Sequence, residues 1–303
     1  MMDRGAFQTA WNQIVRGYAY HACEGGVGCY TLPPLDAVGG VQHGFSARTG
    51  GVSEGFLASL NLSFSRGYEP RQRTIQNYEI FCEAVCIDPA SMVMDTYEHG
   101  KTVRCVDRTD CGAGYTRESL PPCDALITED PAVTLVTGHA DCMAFYVVDP
   151  VRRAIGLAHA GWRGALARIG GEVVEAMGKR FGTQPADLFV GVGPSICPNC
   201  FEVGENVAAM FSDAFPYTDC LLPGKPGKAY VDLWKIAAAQ FLEAGVRADH
   251  ISLMEVCTVE DDRLFSHRGD HGLTGGMAAF LRLIQDDGRI DRPCAKQYNM
   301  TVD

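Results

Sequence analysis

Two short apolar runs, Ala144–Val148 and Ala154–Ala158, flank the turn signal Asp149-Pro150 and form the most clearly patterned stretch of the chain. Apolar runs of this length, bounded by turn residues, read as strands. The pattern predicts an antiparallel hairpin turning at Pro150-Val151, which sets Cys142 opposite His159. Directly opposed Cβ atoms lie about 4.5–5.5 Å apart. That spacing suits two ligands of one metal ion. It suits equally a buried cysteine beside a polar strand-end histidine, and a bulge at the turn would move the pair by one step.

Other periodicities place elements around this hairpin. Ile75, Tyr78, Cys82, Val85 and Cys86 recur at intervals of three and four, predicting a helix over 70–87 with both cysteines in its apolar stripe. A strand is expected to begin at Met92–Met94 and to end at Tyr97-Glu98-His99-Gly100, with His99 presented at its end. Ala125–Thr128, Val133–Thr137, Asp187–Val192 and Ile251–Val256 also read as strands. Leu166, Ile169, Val173, Met177 and Phe181 predict one helix over Gly164–Phe181. Its start, Gly161-Trp162-Arg163-Gly164, offers free amides and Arg163 to an anion. Asn206–Phe215, Asp232–Ala244 and Thr274–Ile284 read as helices, the last followed by a polar tail. Residues 1–40 read as a short helix or strand segment and then a Gly/Pro-rich loop.

Residues 41–67 are rich in Gly, Ser and Asn and read as a long loop, a feature more often functional than idle. Arg48 is the only charged side chain there before Glu54. Flanked by Ser46, Thr49 and Gly50-Gly51, it would suit an anion; a solvated loop arginine gives the same pattern. Strands and helices mix without strict alternation. The expected fold class is therefore α+β, a single domain over 1–303 with a mixed β-sheet and packed helices.

Composition narrows the function classes. The 303 residues are 47% hydrophobic and 21% charged, as in a soluble globular protein. The net charge of -11, without a Lys/Arg run, argues against nucleic acid as a partner. Anionic substrates then need local basic residues. No segment reaches the roughly 18 apolar residues of a membrane span, and the start lacks a signal-peptide apolar region. Thirteen cysteines in a chain too large to need disulfide staples point to free thiols and a cytoplasmic location. Cys197 and Cys200 form a CxxC. With no second CxxC and no thioredoxin-like context, neither a structural zinc site nor a redox role is expected there. Thr258–His271 is polar and carries Arg263, His267, Arg268 and His271.

Several blocks taken together are more specific. HGFSARTGGVSEG, ASLNLS, EHG, CDALIT, HADC, HAGWRG, GPSICPNCFEVG and SHRGD followed by TGG run in order from about Val41 to Phe280. They resemble the polyphenol oxidase (laccase) family, whose members are also described as purine nucleoside phosphorylases. The resemblance implies a single α+β domain with one Zn2+ held by two His and one Cys, here His99, Cys142 and His159. It also implies purine nucleosides and phosphate as partners. Arg48, Arg163 and Arg268 are the candidates for a phosphate pocket. Three protein ligands and an open fourth position form the pattern of a catalytic zinc, which brings the pKa of bound water to roughly 7. Such chemistry would permit attack at C6 of adenosine with release of ammonia. Asp141, beside Cys142, would orient a ligand or accept a proton; a strand-end cap is its plainer role.

Four positions depart from the family pattern: Tyr97, His139, His267 and Gly276. His139 is a candidate extra ligand or proton shuttle, with a supporting or surface role as its plainer reading. Three rival readings stand beside the phosphorylase. One is Cu2+-dependent polyphenol oxidation, although the chain has 8 His and no His-x-His pair. Another is a hydrolase with Cys142 as nucleophile and His159 as base. The third is a non-enzymatic binding scaffold. The preferred base and the oligomeric state stay open at this level.

Overall fold

The computed structural model describes residues 2–64 and 67–284. Its strands are β1 (Val15–Arg16), β2 (Ala19–Ala22), β3 (Gly28–Thr31), β4 (Val41–Ser46), β5 (Met92–Met94), β6 (Val103–Cys105), β7 (Ala125–Thr128) and β8 (Thr134–His139). They continue with β9 (Met143–Asp149), β10 (Ala154–Ala160), β11 (Phe189–Val192), β12 (Glu202–Gly204), β13 (Leu221–Pro223), β14 (Lys228–Val231), β15 (Ile251–Leu253) and β16 (Met277–Leu283). The helices are α1 (Arg4–Trp11), α2 (Pro33–Val38), α3 (Arg71–Ala84), α4 (Trp162–Leu166), α5 (Ile169–Phe181), α6 (Glu205–Ala214) and α7 (Leu233–Glu243).

The fold is α+β. The β9–β10 hairpin lies inside a seven-stranded sheet ordered β1-β15-β11-β9-β10-β7-β6, and all its strand residues are buried. Alternate residues go to opposite faces. Met143, Phe145, Val147 and Ala158 pack with Val173, Met177 and Phe241 of α5 and α7. Ala144, Tyr146, Val148, Ile155 and Leu157 pack against Phe45, Leu135 and Ala279 of a six-stranded sheet ordered β2-β3-β4-β16-β8-β5. A strand covered on both faces needs no polar alternation, which accounts for the unbroken apolar runs. On the far side of the second sheet, Tyr78, Phe81 and Cys82 of α3 cluster with Val136 and Phe280. Both large sheets are mixed: β11 runs parallel to β15 but antiparallel to β9, and β8 runs parallel to β5 but antiparallel to β16.

The hairpin register differs from the expected one. His159 pairs with Ala144, not Cys142, and Ala154 pairs with Asp149. The turn holds four residues. Asp149 Oδ1 accepts from the amides of Val151 and Arg152, both at 2.9 Å, and Arg153 adopts φ +53°. Cys142 is thereby a diagonal neighbour of His159. Both still face the second sheet, because the shift preserves the period of two.

Other expectations change for related reasons. The helix expected over Gly164–Phe181 breaks at Arg168, which takes φ +62°. Its guanidinium is bonded to Glu243 and the Ala214 carbonyl and stacks on Phe215. Thr274–Ile284 supplies the strand β16, not a helix; β16 runs between β4 and β8, and its alternate residues enter different core clusters, Ala279 and Leu281 on one face and Ala278 and Phe280 on the other, so its apolar run reflects burial on two faces. The polar tail after it lies outside the described residues. The long loop expected over 41–67 begins with six residues of strand β4. The strand from Met92 stops at Met94, so residues 95–100 form an irregular loop. The described cysteines form no disulfide with one another. Among the described residues no helix is long and apolar enough to cross a membrane.

Candidate metal centre and pocket

Three segments deliver His99, Cys142 and His159 to one point. The candidate ligand atoms of all three lie within 4.8 Å of one another. His159 sits one residue from the end of β10, Cys142 immediately precedes β9, and His99 projects from the loop after β5.

Asp124 organises the His99 loop. Its buried carboxylate accepts from the amides of Glu98 at 3.0 Å, Gly100 at 2.9 Å and Thr102 at 3.2 Å. Its own carbonyl accepts from the His159 amide at 2.8 Å. One residue thus registers two histidines against each other, while His99 adopts φ +61°.

Cys142 is held from two sides. The His139 ring lies between Thr137 and the Cys142 carbonyl, with Nε2 2.7 Å from the hydroxyl and Nδ1 3.0 Å from the carbonyl oxygen. A carbonyl only accepts, so Nδ1 carries the proton and Nε2 accepts from Thr137. With both ring nitrogens occupied, His139 supports Cys142 and leaves no nitrogen for a metal. Asp141 adopts φ +82°, a costly conformation for a non-glycine residue. Its carboxylate accepts from Thr258 Oγ1 at 2.7 Å, Ser266 Oγ at 2.6 Å and the Arg268 amide at 2.7 Å. These bonds tie the segment before β9 to the loop after β15.

The glycines of the GWRG motif make room for this arrangement. A Cβ on Gly161 would stand 2.8 Å from His99 Cδ2 and 3.3 Å from Cys142 Sγ, and one on Gly164 would stand 2.8 Å from the Gly100 carbonyl. Gly161→Ala is therefore expected to fold yet to bind a metal ion at these residues at least about tenfold more weakly, the lower end of effects seen when ligand support is disturbed. Competition against a chromophoric chelator measures this. Wild-type affinity would remove His99 and Cys142 from the metal site.

The electrostatics favour neutral imidazoles. Burial pushes His159 well below its ordinary value, and the neighbouring His139 and His99 add to the shift. Burial takes His139 down to about 4, against a smaller opposing effect of the Cys142 carbonyl. His99 is lowered by burial, with Asp124 opposing and Arg163 reinforcing. Neutral imidazole is the ligating form. The buried His159 Nδ1 has no hydrogen-bond partner in this structure. The Tyr97 ring packs edge-on against His159, its centroid 3.9 Å away. One thiolate and two imidazoles suit zinc.

These residues line a cavity of about 410 Å³. Arg163, Arg268 and Phe201 line it too, and so do all four positions that depart from the family pattern. Arg163 stacks over Trp162 at 4.2 Å. Arg268 donates to the carbonyls of Cys200 and Glu202 at 3.2 and 3.0 Å. Arg48 is not among the lining residues. Its guanidinium donates to the Ala58 carbonyl at 3.0 Å and lies 4.2 Å over Phe265, where it staples its own loop. The helix start expected to bind an anion belongs to α4, which is only five residues long. The anion-binding candidates in the cavity are therefore arginine side chains. Asp124, Thr258 and Ser266 do not stand out in the sequence, although CDALIT and SHRGD contain two of them.

A family model described as multi-copper polyphenol oxidoreductase laccase matches residues 42–284. Purine nucleoside phosphorylase YlmD of Geobacillus stearothermophilus is 34% identical over 248 residues, covering 80% of this chain and 90% of that protein. A purine nucleoside phosphorylase of Deinococcus radiodurans is 34% identical over 249 residues, covering 82% of this chain and 92% of the relative. The crystal structure of YlmD from Geobacillus stearothermophilus matches with a TM-score of 0.79 at 33% identity, over 84% of this chain and 94% of that one.

Proposed function

The chain belongs to the multi-copper polyphenol oxidoreductase laccase family, and we propose that it is a zinc-dependent purine nucleoside phosphorylase that also deaminates adenosine. The observation that carries this reading is the meeting of His99, Cys142 and His159 in a cavity also lined by Arg163 and Arg268. The names of the relatives supply the reaction class. The cavity volume of about 410 Å³ falls within the range of small-molecule sites.

In phosphorolysis, a phosphate oxygen bonds to ribosyl C1′ while the C1′–N9 bond breaks and its electron pair leaves with the purine. Arg163 and Arg268 hold the phosphate and stabilise its charge as the bond forms. Phe201 offers the purine an apolar face. Asp141, already accepting three hydrogen bonds, acts by fixing Cys142 and the Arg268 backbone. When bound, zinc supplies Lewis-acid polarisation and a water-derived nucleophile at neutral pH. In the second reaction water replaces the C6 amine of adenosine and ammonia departs; His99, Cys142 and His159 would hold the zinc, which would supply the activation of that water. The same pocket serves both.

Base release from adenosine, inosine and guanosine, followed by chromatography with and without phosphate, tests the assignment. Arg163→Ala is expected to raise the KM for phosphate by about tenfold or more, since a charge-assisted hydrogen bond contributes roughly 1.5–3 kcal/mol. Arg48→Ala should leave that KM nearly unchanged. A KM for phosphate that moves only in Arg48→Ala would transfer the anion site to the long loop. The family description also favours a second reading, copper-dependent phenol oxidation. Oxygen uptake with a phenol, alongside inert nucleosides, would establish that reading instead.

A further inference from the structure

We propose that Cys197, Cys200, Cys257 and Glu260 form a second metal centre, a closed zinc site that pins together two loops behind the pocket wall. Along the sequence the CxxC stands without a partner because the other half is not a CxxC. It is Cys-x-x-Glu, supplied far downstream by Cys257-Thr258-Val259-Glu260.

The topology explains the meeting. β11 and β15 are parallel neighbours, with Val192 paired to Leu253. Pairing resumes beyond their ends: the Ser195 amide donates to the Val256 carbonyl at 3.0 Å and the Thr258 amide to the Ser195 carbonyl at 3.1 Å. That continuation carries Cys197 and Cys257 side by side. Each half then turns tightly. The Cys200 and Phe201 amides donate to the Cys197 carbonyl at 3.1 and 3.0 Å, and the Asp261 amide donates to the Cys257 carbonyl at 3.0 Å. Both two-residue spacings therefore bring their side chains back to one point.

The donor geometry fits a metal. All four ligand atoms lie within 4.8 Å of one another. A tetrahedral zinc with bonds of about 2.3 Å to sulfur requires sulfur–sulfur separations of about 3.8 Å, so the thiols need only a small contraction. The Cys197 amide already points at Cys257 Sγ from 3.4 Å, and Cys200 Sγ stands 3.5 Å from Glu260 Oε1. Three sulfur donors with one carboxylate select zinc over hard cations. A simple Cys197–Cys200 disulfide would need neither the third thiol nor the carboxylate. Four protein donors leave no open position, so the role is structural.

The site is tied to the pocket. Ile196 and Phe201, on either side of the CxxC, line the cavity. The Cys200 carbonyl holds Arg268, and Thr258 holds Asp141. Metal in the second centre therefore fixes the part of the pocket wall that carries Ile196 and Phe201.

The test counts zinc per chain in reduced, full-length protein by mass spectrometry. Cys142→Ala disables the pocket centre, so its zinc content reports the second one. About one equivalent should remain, and Cys197→Ser with Cys200→Ser added should remove it. Glu260 is exposed, so Glu260→Gln in the Cys142→Ala background spares the fold. It should release zinc to a chelator at least about tenfold faster. With cobalt, Cys142→Ala should show thiolate charge-transfer absorption that disappears in Cys257→Ser. A zinc-free Cys142→Ala after equilibration with zinc would overturn the proposal. So would zinc that survives loss of both CxxC thiols, or a Cys197–Cys200 disulfide in place of bound metal. Because the pocket ligand is already removed, failure here leaves the phosphorylase reading untouched.

Discussion

His159→Ala is expected to lose the pocket metal and to lose phosphorolysis and adenosine deamination together. The residue is buried and held neutral, its Nδ1 has no hydrogen-bond partner, and among the described residues His99 and Cys142 are the metal-ligating side chains grouped with it. Two remaining ligands do not make a zinc site of either the structural or the catalytic kind. Metal-derived charge stabilisation contributes several kcal/mol to such reactions. At 1.36 kcal/mol per tenfold, turnover should fall by about 10²- to 10³-fold. Zinc content and both activities should be measured on one preparation. Lost zinc with undiminished base release would make the metal structural and the mechanism wrong.

Asp124→Ala should produce the second largest effect, although Asp124 touches no substrate. Its carboxylate gathers three amides of the His99 loop, and its carbonyl binds the His159 amide. Hydrogen bonds to a charged acceptor contribute roughly 1.5–3 kcal/mol each, though not additively, and water can reach part of the loop. The expected destabilisation is about 3 kcal/mol, with zinc affinity reduced by about 10- to 100-fold. Asp124→Asn should fall between, since its amide nitrogen cannot accept from Thr102. Denaturant unfolding and chelator competition read the two effects separately. Wild-type zinc affinity in Asp124→Ala would show that the loop holds His99 without it.

What the sequence made legible follows from how local the information was. The hairpin, α3 and α7 announced themselves through short-range periodicity, and the candidate metal ligands sat inside compact motifs. The register did not, because it depends on Asp149 capping a four-residue turn, a choice the two apolar runs cannot express. β16 read as a helix because a strand buried on both faces shows no alternation. Arg48 looked like an anion ligand because its loop is rich in donors. The fold spends that arginine on the Ala58 carbonyl and the Phe265 ring. Arg163 and Arg268 gained weight only once the cavity was visible. Cys257 and Glu260 escaped because their partners lie in the loop after a neighbouring parallel strand, a relation of topology and not of spacing.

Transfer of ribose from a purine to phosphate is the activity proposed for this pocket. Its most direct test is the quantity of ribose 1-phosphate formed from inosine by the zinc-loaded wild type, measured against free hypoxanthine. Equal amounts of the two products are expected, and no hypoxanthine when phosphate is omitted. Hypoxanthine released without phosphate, or inosine left intact while a phenol is oxidised, would contradict the proposed activity.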